Sequence, residues 1–100
     1  MSLDGATLDA AHKHCISHRI EVLASAVCGC FYCRSVFPPK AVTYWHEETS
    51  GEAGRAPDPF TAFCPTCHID AVIGDASGYP VSDPTFLRAM HARWFKNEIE

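Results

Sequence analysis

No stretch of this chain is long and apolar enough to span a bilayer, charged residues make up only 20% of it, and the basic ones are outnumbered. The first absence excludes a helical membrane span, which needs about 20 apolar residues in a row. The other two bear on nucleic acid. Eight Lys and Arg stand against twelve Asp and Glu, for a formal charge of −4, whereas nucleic-acid binders draw much of their affinity from a basic patch that neutralises phosphates. Here the basic residues are scattered. Arg88, Arg93 and Lys96 can gather on one helical face, but a solvated helix surface accounts for them equally well. Internal repeats, low-complexity segments and lipidation or retention signals are also missing. Residues Met1 to Ala11 carry two aspartates and no apolar run resembling a secretion signal, so the expected compartment is the reducing cytoplasm.

Cysteine, by contrast, is abundant, with six in 100 residues. Two Cys-x-x-Cys pairs, Cys30 with Cys33 and Cys64 with Cys67, are separated by thirty residues. A two-residue spacer lets both sulfurs reach one ion while intervening N–H groups point back at them. Disulfides would require an oxidising compartment, and a thioredoxin-like motif is normally single and opens a helix after a strand. The pattern therefore reads as a four-thiolate zinc site, Cys30, Cys33, Cys64 and Cys67, with iron an alternative that residue type alone does not separate. Cys28-Gly29-Cys30 leaves open whether Cys28 replaces Cys30. The Cys30–Cys33 spacing matches Cys64–Cys67, which favours Cys30 and leaves Cys28 a buried or neighbouring thiol. Cys15 reads as core.

One hundred residues, 47% of them apolar, make a single domain over 1–100 with room for one modest core. Such a chain buries only about two thirds of its unfolded surface, so a metal contributing roughly 10–16 kcal/mol can decide whether it folds. A helix is expected from about Thr7, as cap, to Ala26, with Leu8, Ala11, Cys15, Ile16, Ile20, Leu23 and Val27 at helical spacing. Its other side carries His12, His14, His18, Lys13, Arg19 and Glu21. Residues 41–46 and 60–63 read as short strands forming a hairpin between the halves of the metal site, joined by a charged, Gly- and Pro-rich connector over 47–59. Turn formers crowd Gly74 to Pro80. A closing amphipathic helix starts near Pro84, capped by Asp83, and buries Phe86, Leu87, Met90, Trp94 and Phe95.

The stretches Cys28-Gly29-Cys30-Phe31-Tyr32-Cys33, Thr61 to Cys67, Ile69 to Asp75 and Ser77-Gly78-Tyr79-Pro80 resemble a group of small bacterial cytoplasmic proteins that carries no established activity. The likeness spans most of the chain and includes Phe86-Leu87 and Trp94-Phe95. It departs at His68, where that group has Gly. The metal pattern also resembles the treble-clef group, in which one cysteine pair lies on a turn and the other opens a helix. That group includes the HNH endonucleases, and Cys64-Pro65-Thr66-Cys67-His68 has the appearance of their late Cys-x-x-Cys-His string. The resemblance implies a histidine general base on the hairpin, for which His46 is the sole candidate, but His46-Glu47-Glu48 lacks the usual pattern.

The expected architecture is α+β: a long first helix, a zinc-stapled hairpin module of treble-clef or zinc-ribbon type, and a closing helix. The expected function is a noncatalytic binding or adaptor module for a protein partner or a second copy, with a surface around Tyr79 and Trp94. The alternatives are a metal-dependent hydrolase or nuclease and a nucleic-acid-binding zinc module. A second ligand site would draw on His14, His18, Arg19, Asp70 and Asp75. Structural duties explain the aspartates as well, Asp70 as a cap and Asp75 in an Asx turn.

Overall fold

The computed structural model describes residues 3–49, 51 and 57–95, so most of the expected 47–59 connector lies outside the described residues. The first helix does not run unbroken. It forms α1 (Gly5–His12), tightens into a 3-10 turn (Lys13–Cys15), breaks, and resumes as α2 (Arg19–Leu23). Its cap is Asp4 rather than Thr7: the Asp4 carboxylate accepts the Thr7 N–H at 2.9 Å, and a carboxylate suits the positive end of the helix dipole.

The break has a physical cause in the strand that follows much later. Ser17 takes φ 52°, and its N–H donates to Thr61 Oγ1 at 2.9 Å, while the His18 N–H donates to the Phe60 carbonyl at 2.8 Å. These donors would otherwise continue the helical ladder, and β4 (Phe60–Ala62) takes them instead. His18 then plugs the gap. Its Nδ1 lies 2.5 Å from the His14 carbonyl oxygen, and its Nε2 accepts the Ala62 N–H at 3.0 Å. A carbonyl only accepts, so Nδ1 carries the proton and the imidazole is neutral. The break also reorients the apolar spacing: Leu8, Ala11, Cys15 and Val22 are buried, but Ile16, Ile20 and Leu23, expected in the core, are exposed.

Two antiparallel sheets follow. β1 (Cys28–Cys30) lies between β2 (Val36–Phe37) and β5 (Val72–Gly74), with Cys28 opposite Phe37 and Gly74, and Cys30 opposite Val72. A Cβ on Gly29 would meet the Val81 carbonyl at 2.2 Å, so the central strand needs glycine for close approach. The expected hairpin forms as β3 (Trp45–Glu47) with β4, its first strand starting later than the expected residue 41, where a 3-10 turn (Pro39–Ala41) ends. β5, which ends where the crowded turn formers begin at Gly74, completes the larger sheet. α3 (Pro84–Phe95) matches expectation: the Asp83 carboxylate caps it by accepting the Thr85 N–H at 2.9 Å, and Phe86, Leu87 and Met90 are buried. Trp94, expected inside, is exposed and stacks on His12 at 3.9 Å. Among the described residues, no helix is long and apolar enough to cross a membrane.

Burial lowers the His18 pKa below its ordinary 6.5, against the opposing pull of the His14 carbonyl, Glu21 and Asp58. The unfolded chain then binds the extra proton first, so stability falls as pH drops below 6.5. Chemical denaturation at about pH 7.5 and about pH 5.5 should show this loss. His18→Gln should be less stable at the higher pH and should lose less stability between the two.

Candidate metal centre

Each cysteine pair sits on the same turn. In the first, the Cys30 N–H donates to Ser35 O at 3.0 Å and the Arg34 N–H returns to Cys30 O at 2.7 Å. In the second, the Cys64 N–H donates to Ile69 O at 3.0 Å and the His68 N–H returns to Cys64 O at 3.0 Å. Arg34 and His68, each the residue after the second cysteine, both have φ 65°. A side chain at positive φ strains the backbone, so glycine at either position would relieve that strain.

The two turns bring four sulfurs together. Cys30, Cys33, Cys64 and Cys67 place their Sγ atoms within 4.8 Å of one another. The shortest approaches cross between turns: Cys30 to Cys67 at 3.6 Å and Cys33 to Cys64 at 3.7 Å. Four sulfurs about 2.3 Å from one tetrahedral ion would be about 3.8 Å apart, so the cluster has the dimensions of a metal–thiolate centre. Cys28 lies outside it. Both Cys28 and Cys30 are fully buried in β1, but only the Cys30 sulfur joins the cluster.

The surroundings act differently on the individual thiols of the cluster. Burial pushes the Cys30 thiol up and Cys67 up to about 11. Burial acts on Cys64 too, but N–H groups of Cys67 and Thr66 and hydrogen bonds with Ser35 and Cys33 outweigh it and bring that thiol down to about 7. Neighbouring buried thiolates need a cation among them, and a soft S4 donor set suits zinc or iron. Burial holds Cys15 and Cys28 protonated, at about 12 and about 11, as small apolar side chains.

Two participants lie outside the cysteine pattern. Ser35 Oγ stands 3.1 Å from Cys33 Sγ and 3.6 Å from Cys64 Sγ, touching both halves of the cluster. His91 reaches the first turn from α3, with Nδ1 3.1 Å from the Phe31 carbonyl. Their only sequence signals are Ser35 two residues past a ligand and His91 on the buried face of a helix.

The other candidates disperse. His14 and His18 line one cleft of about 450 Å³ together with Ser17, Glu21 and Asp58. His14 Nδ1 is 3.0 Å from Glu21 Oε1, while both ring nitrogens of His18 are engaged by backbone. The Arg19 guanidinium stacks 4.1 Å over Phe60. Asp70 is exposed and follows the second turn without a helix to cap. Asp75 accepts the Ala26 N–H at 2.9 Å and borders a separate cleft of about 370 Å³ with Tyr79. None of these five belongs to the cysteine cluster, the one group of at least three His, Cys, Asp or Glu placed to share an ion among the described residues.

The treble-clef expectation is not met at the second pair, because the element that follows Cys67 is β5 and no helix opens there. His46 lies exposed on β3 against Phe63. No family model, curated protein or solved structure matches the chain.

Replacing Cys28 and replacing Cys30 should have opposite consequences. Cys28→Ser should keep the metal-to-protein ratio of the parent chain, and Cys30→Ser should lose it, as read by elemental analysis of the purified proteins.

Proposed function

We propose that this chain is a zinc-stapled binding module, in which a closed four-thiolate site is structural and the surface carries the function. The observation behind this reading is the meeting of two matching cysteine turns, with cross-turn sulfur contacts of 3.6 and 3.7 Å. Four sulfurs fill a tetrahedral site, whereas a catalytic zinc keeps a position open for water or substrate. The paired turns favour a zinc-ribbon module over a treble clef. The likeness to small bacterial cytoplasmic proteins, and a cytoplasmic location, belong to the same proposal.

Exposed aliphatic side chains support a protein partner or a second copy. Ile16, Ile20 and Leu23 are 42%, 71% and 58% exposed, and Ile16 and Ile20 line the cleft that also holds His14 and Glu21. Exposed apolar surface beside a cleft suits an interaction site. We favour this surface over the Tyr79 and Trp94 region expected from sequence. Tyr79 is half-buried and packs on Phe86, and Trp94 is occupied by His12.

Metal analysis of the parent chain beside a Cys64→Ser, Cys67→Ser double variant tests the reading. One zinc per chain is expected, lost in the double variant together with the folded signal, since the metal contributes on the order of 10–16 kcal/mol. A metal-free parent chain that stays folded would overturn it. Visible absorption from thiolate-bound iron would replace zinc by iron in the same site.

A further inference from the structure

The first cysteine turn is gripped by a helix, and the second holds its shape with a proline. Phe31 and Tyr32, between Cys30 and Cys33, lie against α3, their rings 5.6 and 4.9 Å from that of Phe95. Pro65 and Thr66 occupy the same places in the second turn, where the proline ring fixes its own φ.

His91, on α3, is 7% exposed and makes one side-chain hydrogen bond, to the Phe31 carbonyl at 3.1 Å. That carbonyl only accepts, so the proton sits on Nδ1. Nε2 is buried and without a hydrogen-bond partner among the described residues. An unpaired buried nitrogen costs free energy that a phenyl or aliphatic side chain at the same place would not. The bond to Phe31 is what the imidazole provides in return.

The Phe31 carbonyl and the Tyr32 N–H belong to one planar trans peptide and point in opposite directions. Holding the carbonyl toward His91 turns the Tyr32 N–H away from it, and the Tyr32 and Cys33 N–H groups oppose burial by favouring the Cys30 thiolate. At the matching place in the second turn, the Thr66 N–H reaches Cys64 Sγ at 3.3 Å. We propose that His91 is a positioning residue for the metal centre: through the Phe31–Tyr32 peptide it fixes the Cys30–Cys33 turn in the geometry that receives the ion. This rests on the four-thiolate reading above.

Zinc release from the loaded full chain to a chromophoric chelator tests it, with melting temperature measured in parallel. His91→Phe removes the donor and should release zinc about tenfold faster, the scale of effect when a group that orients a ligand is lost. His91→Asn places an amide N–H near the Nδ1 position and should stay near the parent rate, whereas His91→Gln moves the donor outward and should behave like His91→Phe. Phe86→Leu, on the same helix and packed against Tyr79 instead, controls for simple loosening of α3. Release at the parent rate in His91→Phe would overturn the proposal. So would equal acceleration by Phe86→Leu at the same loss of melting temperature. Should His91→Phe fail to fold, equal rates for the Asn and Gln variants would overturn it as well. A parent chain that takes up no zinc would instead sink the four-thiolate reading, and this proposal with it.

Discussion

Four sulfurs held within 4.8 Å of one another, two of them almost fully buried, cannot all be thiolates unless a cation sits among them. The rest of the structure is arranged around that constraint. β1 carries the first turn and pairs with β5, which follows the second, so the sheet and the cluster join the same two regions of chain. A core this small leaves little stability to spare, so an ion held by the four sulfurs would couple its binding energy to the closure of the sheet.

The cluster was legible in the sequence because two equal spacers are a local signal, and local geometry is enough to form each turn. The closing helix was legible for the same reason: Asp83, Pro84 and the apolar period after them all act within a few residues. The first helix was misread because its interruption comes from a partner more than forty residues away. Ser17 and His18 spend their N–H groups on Thr61 and Phe60, and no periodicity along α1 and α2 reports that exchange. The aliphatic spacing at Ile16, Ile20 and Leu23 persists in the sequence, but the break turns it outward. β5 was missed because Ile69 to Ile73 is a short apolar run with no alternation, which helix, strand and buried loop share.

The supporting groups were illegible for another reason. Ser35 and His91 are ordinary residue types, and their relevance lies in which atom faces which. Only the fold places the His91 ring beside the Phe31 carbonyl, sixty residues distant in the chain.

The shared φ of 65° at Arg34 and His68 bears on which sequences this turn accepts. Branching at Cβ is poorly tolerated in left-handed backbone, so Val, Ile and Thr are disfavoured immediately after each second cysteine, while Gly, Asn and unbranched side chains can occupy it. The recognisable unit is thus five residues rather than four: Cys-x-x-Cys and a fifth position defined by what it excludes. Two such units in one short chain make a more discriminating signature than the cysteine spacing alone, and one that tolerates any residue between the sulfurs that leaves the turn intact.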